Sequence, residues 1–467
     1  MQPPHFRSTE AGSRATTSTR YLSRGLTRDT VAYILARGAP GLLNFLALGL
    51  YTRLLGGNGY GEYALIVASV SLLQIVLYYW IDHSLARFYQ LPRLRKVLLA
   101  SIVRAFAAVT AILVIVAILA LCLGVADPSY LLAGLLLLVA QAWNRLQLEL
   151  ARGQLRPGQY ARMALIRAVL SPIIAAALAA FGMGAIGVVL GLAAGALVSG
   201  LIGTRTDWIF AIGYRSSSIM TRAILAYGLP LIALQAFRFI VNASDRFMIA
   251  AMLDTSQAGN YAAATDLAAN SIGLLTTIVQ LAAFPRIVAA YEIGGAASAA
   301  AQYRKNIILL LTLTLPATAG IGLLAANISH VVLPVEFRPQ ATTILPIIAA
   351  GTMIAMLKGV GFDIAFQLAR RTGMQLAVVA VAAAMNIALN WLLIPIMGLR
   401  GAALGSLVTH LVALGVSILF GRNLFRFRFP WKDAVRVAAA TGVMAGVLAL
   451  AKDLRGPVEL AGQIGLG

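Results

Sequence analysis

The sequence predicts an all-α polytopic membrane protein, with two parallel six-helix lobes around a central cavity, and three observations predict it. First, 60% of the 467 residues are hydrophobic and only 11% charged, with a mean hydropathy of +0.85. Soluble domains run near ~45–50% apolar and ~25% charged, so the polar material to cover two or three soluble domains is missing. Second, apolar runs of ~17–25 residues, the length of a bilayer-spanning helix, recur along nearly the whole chain. Third, sequence pieces recur in order at an offset near 200 residues.

The runs read as spans over 30–51, 63–81, 99–122, 130–148, 162–181, 185–204, 223–244, 263–284, 305–326, 341–361, 373–395, 400–420 and a weaker 434–451. Thirteen helices fall within an expected range of about 12–14. The organisation expected is a disordered cytosolic tail over 1–29, an N-terminal lobe over 30–205, a C-terminal lobe over 221–421, and an extra helix and tail over 432–467. The tail carries Arg7, Arg14, Arg20, Arg24 and Arg28 among Ser, Thr and Gly, and lacks the apolar core and small-residue cleavage site of a secretory signal. The single cysteine, Cys122, excludes an intrachain disulfide and a Cys-based metal cluster.

The formal charge of +21, from 37 basic and 16 acidic residues, is explained by topology. With the N-terminus inside, cytoplasmic stretches hold 27 of the 37, among them Arg87, Arg145, Arg152, Arg167 and Arg422, whereas external stretches hold six. This asymmetry is the positive-inside rule obeyed loop after loop, and it places the excess against anionic lipid headgroups rather than nucleic acid. Four basic residues remain inside spans: Arg37, Arg104, Arg238 and Lys358. Arg104 and Lys358 lie within about a turn of the cytoplasmic boundary, where their side chains can snorkel.

The repeat joins Gly61-Glu62-Tyr63-Ala64 to Gly259-Asn260-Tyr261-Ala262, and Met183-Gly184 with Gly187 and Gly191 to Met397-Gly398 with Gly401 and Gly405. Pro40 and Pro230 correspond. Six spans per half is an even number, so the halves share topology, as in transporters whose repeats rock about a central site. Gly182 to Gly187 is formally GxGxxG, but it turns between two membrane spans and has no strand before it, so it reads as close helix packing rather than a nucleotide site. No Walker, HExxH or Ser/His/Asp pattern occurs, and the four histidines are scattered. No cofactor and no metal are expected, and the chain does not read as an enzyme.

An ionised side chain at mid-bilayer costs at least ~2.5–3.5 kcal/mol on insertion scales, so each needs a reason. Arg37 sits about seven residues into the first span and Arg238 about fourteen into the seventh. Gln235, Arg238, Asn242 and Asp245 follow one helical stripe, as do Arg37, Asn44 and Tyr51. Gln74, Tyr78 and Asp82 form another in the second span, and Asp266, Asn270, Thr277 and Gln280 one in the eighth. Lipid cannot satisfy these groups, so the stripes are expected to face a shared wet interior between the halves. Because the mid-span charges are cationic, that interior suits an anion such as phosphate or pyrophosphate, which guanidiniums grip bidentately.

Three ordered motif groups carry a resemblance. They are Tyr51 to Gly56 followed by Gly59 to Ala64; Gly228-Leu229-Pro230, Asp245-Arg246-Phe247 and Gly259-Asn260-Tyr261; and Asn386, Ile394-Pro395 and Gly398 to Ala403. Across residues 30–421 the sequence resembles polysaccharide (Wzx-type) flippases of the multidrug/oligosaccharidyl-lipid/polysaccharide exporter superfamily. The resemblance implies alternating access of two lobes and movement of a polyprenyl-pyrophosphate-linked oligosaccharide across a bacterial inner membrane, for surface polysaccharide biosynthesis. It implies Arg37 and Arg238 as pyrophosphate-binding cations, Asn44, Gln74, Gln235 and Asn242 as cavity contacts, and Pro40 and Pro230 as bending points. Partners implied are the lipid-linked oligosaccharide, anionic lipids and the glycosyltransferases or polymerase of the same pathway, with a monomeric chain. A lipid II flippase and a cation-coupled drug exporter are the alternatives within the superfamily.

Overall fold

Long apolar segments that satisfy their own backbone hydrogen bonds can only be helices in lipid, and helices account for every regular element but short 3-10 and π turns in a computed structural model of the chain. The structure describes residues 11–125, 127–203, 208, 211, 213–369, 371–424, 429–450 and 456–466. Side chains are described from Pro40 onward, save at 92, 277–278, 281–285, 296, 372, 423, 457–458, 461 and 465–466.

In chain order the helices are α1 (Ala11–Leu77), α2 (Tyr79–Phe88), α3 (Arg95–Cys122), α4 (Pro128–Gly153), α5 (Pro157–Leu178), α6 (Gly184–Leu201) and α7 (Ser218–Met252). They continue with α8 (Thr255–Leu323), α9 (Ala325–Val332), α10 (Arg338–Met356), α11 (Ile364–Leu368), α12 (Thr372–Met397), α13 (Leu399–Leu424), α14 (Trp431–Leu450) and α15 (Pro457–Leu466). No strand occurs among the described residues. Local chemistry starts several of them. The Asp127 side chain accepts from the Ser129 amide at 2.8 Å ahead of Pro128, and Asp254 accepts from the Gln257 amide at 2.7 Å.

Among the described residues ten runs are long and apolar enough to cross a membrane, against the thirteen spans expected. Two of the ten hold a reversal. Gly56 takes φ 64°, ψ −177° inside α1, open to glycine at little cost. The rings of Tyr51 and Tyr63 then meet at 5.7 Å, although twelve residues of straight helix would separate them by about 18 Å. The chain therefore folds back at Gly56. The run Pro157–Leu201 likewise folds back into the α5–α6 hairpin. Expected span 8 lies within α8, which has its own break at Gly295. Residues 1–10 of the expected tail lie outside the described residues, and from Ala11 the backbone is helical.

Small residues set how closely the hairpins pack. Cβ atoms built at Gly187, Gly191 and Gly195 would meet Ala179, Ala175 and Ser171 in turn, the descending register of an antiparallel pair. The same device returns in α12–α13, where Gly401 lies against Leu393 and Gly405 against Asn390. The turn glycines match as well: Gly184 has φ 52°, ψ −139° and Gly398 has φ 57°, ψ −134°. The sequence match at an offset of 214 is thus a shared backbone geometry.

The first-half helices pack on one another through α1, α4, α5 and α6, and the second-half helices through α7, α8, α10, α12 and α13. The halves meet chiefly along α1 against α8 and α2 against α7. Apolar side chains cover the outside: Ile112, Ile115, Val116, Ile118 and Leu119 of α3 are all more than half exposed, a surface suited to hydrocarbon. This is a multi-pass membrane protein.

Candidate functional site

Three motifs noted in the sequence meet where the halves touch. A Cβ at Gly61 would strike the Thr255 carbonyl oxygen, and one at Gly259 would strike the Gly57 carbonyl and lie 2.8 Å from the Gly61 nitrogen. Arg246 Nη2 donates to Asp266 Oδ1 at 2.5 Å, and Tyr60 Oη of the first half donates to Asp266 Oδ2 at 2.9 Å. Arg53 reaches the Val331 carbonyl at 2.9 Å. Farther along the interface a Cβ at Gly228 would lie 2.8 Å from Trp80 Cα, and Ser84 Oγ donates to the Ile224 carbonyl at 3.1 Å.

Next to Arg246, Asp245 points the other way, into the second half. Its buried carboxylate accepts from Tyr261 Oη at 2.7 Å, Ser406 Oγ at 2.6 Å and Asn390 Nδ2 at 2.5 Å, which ties α7 to α8, α13 and α12. Adjacent residues on a helix face about 100° apart, so one Asp-Arg pair can serve the interior of the second half and the contact between the halves together.

A cavity of about 550 Å³ opens among α7, α8, α10, α11, α12 and α13, with Gly41 of α1 at its edge. Its ionisable lining consists of Arg238, Lys358, Asp363 and His410, with Asn242, Asn270, Gln280 and Gln367 as neutral polar contacts. Lys358 Nζ donates to Asp363 Oδ2 at 2.8 Å, and Asp363 also accepts from Gln375 Nε2 at 3.3 Å and Ser417 Oγ at 3.0 Å. Arg238 makes no ion pair among the described residues. The cavity therefore offers a free guanidinium and a carboxylate already neutralised. No group of three or more His, Cys, Asp or Glu among the described residues could hold a metal ion.

A model of the family described as polysaccharide biosynthesis protein matches residues 26–290, more than half of the chain. The chain belongs to that family. No curated protein matches it. Among solved structures, this polysaccharide biosynthesis protein is similar to the lipid II flippase MurJ in an inward closed conformation, with a TM-score of 0.69, 14% identity, and 94% of this chain and 96% of that one covered. It is also similar to a MOP superfamily transporter from Pyrococcus furiosus (TM-score 0.53, 18% identity, 88% and 95% covered). An inward-facing multidrug resistance MATE family transporter follows (TM-score 0.51, 17% identity, 88% and 96% covered). At these identities the likeness establishes the fold.

Within this polysaccharide biosynthesis protein the expected site residues part company. Arg238 and Asn242 line the cavity together, with Asn270 and Gln280 of the α8 stripe. Asn44 is exposed, Gln235 is half-buried, and Gln74 is buried with neither amide atom hydrogen-bonded; none of the three lines the cavity. The side chains of Arg37 and Thr277 lie outside the described residues. At Pro40 and Pro230 the helices run on, and the non-helical backbone angles of α1 and α8 fall at Gly56 and Gly295 instead.

Lys358 and Asp363 were missed as site residues because their spacing is wrong for an α-helix. Positions i and i+5 do not share an α-helical face. Here Leu357–Phe362 is π-helical, and the Asp363 amide donates to the Lys358 carbonyl at 2.9 Å. That wider turn aligns the pair, as π turns often do at functional sites. Lys358 is accordingly buried and paired rather than snorkelling to the boundary. Beyond the cavity, an apolar one of about 420 Å³ is lined by Phe45, Leu275, Ile321, Leu448, Leu460 and Ile464. The last helix, α15, is too short to span a membrane but closes this space, with Asn327 Nδ2 donating to Gln463 Oε1 at 2.7 Å.

Proposed function

We propose that this protein is a flippase for a polyprenyl-pyrophosphate-linked oligosaccharide, moving it across a bacterial inner membrane by alternating access, with the N-terminus cytoplasmic. The observation that carries the reading is the unpaired Arg238 guanidinium in the cavity of a polysaccharide biosynthesis protein. A half-buried cation inside a membrane-spanning helix without a counter-ion is costly, and a diphosphate relieves that cost through bidentate hydrogen bonds. Asn242, Asn270 and Gln280 supply neutral donors and acceptors for sugar hydroxyls. The apolar cavity beside α14 and α15 accommodates part of a prenyl chain. A cationic drug finds no free carboxylate here, since Asp363 is held by Lys358, Gln375 and Ser417.

Lipid II shares the diphosphate, so the test compares the two. Proteoliposomes carrying the full chain are loaded with a labelled lipid-linked oligosaccharide or with labelled lipid II, and the label's leaflet accessibility is followed. The oligosaccharide is expected to equilibrate between leaflets and Arg238→Gln to abolish this at unchanged protein level; Arg37→Ala is expected to do the same. Movement of lipid II alone, or full activity in Arg238→Gln, would overturn the assignment.

A further inference from the structure

Three of the carboxylates that the sequence places near span ends are held by several partners each. Asp245 accepts from Tyr261, Asn390 and Ser406, Asp363 from Lys358, Gln375 and Ser417, and Asp266 from Arg246 and Tyr60. Asp82 of α2 is treated differently. Its side chain is buried, with the residue only 3% exposed, and its enclosed Oδ2 has no hydrogen-bond partner. It is in no ion pair among the described residues. The stripe of Gln74, Tyr78 and Asp82 was expected to face a wet interior. Instead Ile81 and Leu85, on either side of Asp82, enter an apolar core with Leu146 and Leu150 of α4. A bare carboxylate enclosed in this way is costly, and taking up a proton removes most of the cost.

The helix that carries Asp82 is hung separately from α1. At Tyr78 the backbone leaves helical geometry, with φ −120° and ψ −20°. The Ile81 amide donates to the Tyr78 carbonyl at 2.9 Å rather than to that of Leu77, which accepts from Trp80 Nε1 at 2.8 Å instead. One face of α2 meets the second half, since Gly228 closes on Trp80 and Ser84 bonds the Ile224 carbonyl. Trp80 and Ser84 are four apart and share that face. Asp82 lies two residues from each, about 200° round the helix, on the side of α4.

The titratable groups around α2 are few. Arg145 and Glu149 of α4 act on the Asp82 carboxyl, with Arg145 exposed and Glu149 paired to Arg152. On α2 itself the Tyr79 ring stacks on His83 at 3.8 Å. Tyr227 of α7 packs on Phe88, Arg104 of α3 is turned to Ser216 and the Tyr214 carbonyl, and the Tyr78 hydroxyl meets Thr110.

We propose that Asp82 is a proton-binding site of the transport cycle, loaded in the arrangement seen here. The site stands on its own geometry, and its use in transport rests on the flippase reading. Uptake forms one O–H bond on the carboxyl with a proton from water, and release returns that proton to water. A metal cation would need several oxygens about it, and Asp82 Oδ2 has no polar neighbour within hydrogen-bond reach. Once the proton leaves, the charge requires water or Arg145, so α2 must shift on α4. Because the opposite face of α2 carries Trp80 and Ser84, its contact with α7 shifts as well. Proton loading therefore favours the present setting of the two halves.

Two measurements test this on the purified full chain. Infrared difference spectroscopy in detergent at neutral pH is expected to show the carbonyl stretch of a protonated carboxyl. That band should vanish in Asp82→Asn, shift in Asp82→Glu and persist in Asp363→Asn. Its absence from the unaltered protein, or its persistence in Asp82→Asn, overturns the site. In proteoliposomes with the membrane potential clamped at zero, movement of labelled lipid-linked oligosaccharide is then compared under pH gradients of opposite sign. The unaltered protein is expected to differ several-fold between the two gradients, and Asp82→Asn to move the lipid equally under both. A gradient effect that survives in Asp82→Asn, or none in the unaltered protein, overturns the coupling. No movement by the unaltered protein at all overturns the flippase reading, while the infrared band still reports the proton site. Should Asp82→Asn not accumulate, Asp82→Glu carries the test through the shift of its band.

Discussion

Gly61 and Gly259, equivalent positions of the repeated GxYA motif, lie against each other across the interface between the halves. Gly61 faces Thr255 and Gly259 faces Gly57, so each glycine meets the residue four positions before its counterpart. That reciprocity is the mark of an isologous contact, in which matching surfaces meet around a two-fold axis. Here both surfaces belong to one chain, and the axis runs between two stretches that the sequence repeats.

The reciprocal contact predicts a lock. A Cβ at Gly57 would lie 3.8 Å from Ser256 Cβ, which is the mean Cβ separation of a disulfide. In a Cys122→Ser background, Gly57→Cys with Ser256→Cys is expected to lose both maleimide-reactive thiols on oxidation and to stop flipping, with recovery on reduction. Free thiols after oxidation would show that the halves do not rest in this contact.

Bulk at the reciprocal glycines should do the opposite. Gly61→Leu is expected to keep the halves apart at this end and to abolish flipping while the protein still inserts. Added to the Gly57→Cys, Ser256→Cys variant, it is expected to slow oxidative closure of the introduced thiol pair at least tenfold.

Close packing inside the hairpins should matter before transport does. At Gly191 a Cβ would strike the Ala175 backbone, whereas at Gly446 of α14 nothing lies within 4 Å. Gly191→Leu should therefore reduce membrane accumulation several-fold, by the overpacking cost of about 1–3 kcal/mol or more, and Gly446→Leu should not. Quantitative immunoblotting of membranes distinguishes them.

The buried Lys358–Asp363 pair predicts non-additive energetics. Lys358→Met or Asp363→Asn alone leaves an uncompensated buried group and should cost about 3–5 kcal/mol, while the double variant should recover much of that. Thermal unfolding in detergent, followed by fluorescence-detected size exclusion, measures the cycle. Simple addition of the two losses would mean that the pair is not coupled.

Asp245 should act as a cross-brace. Its three donors come from α8, α12 and α13, so Asp245→Ala strips the Tyr261 and Ser406 hydroxyls of their acceptor and leaves Asn390 Nδ2 only its 3.3 Å bond to Asn386, at about 1–3 kcal/mol for each buried group left unpaired. Asp245→Asn, which keeps an acceptor oxygen, is expected to lie between Asp245→Ala and the unaltered protein in thermal stability.

The all-helical membrane fold was legible because span formation depends on the transfer of some twenty contiguous residues, a property local in sequence. The repeat was legible for a related reason, since turn and close-packing glycines leave recurrent spacings such as Gly184 with Gly187 and Gly398 with Gly401. Arg238 and Asn242 could be paired because they sit four apart on an α-helical face. Beyond that spacing the sequence is silent: Lys358 reads as a boundary residue, because a π turn makes i+5 a shared face only once the helix is packed.

Hydropathy and helical period, read residue by residue, determined that this chain crosses a membrane and which of its cations demand a reason. Which half owns the cavity, which carboxylate is already neutralised and which arginines remain unpaired were decided only by packing, because those properties depend on contacts between segments far apart in the chain.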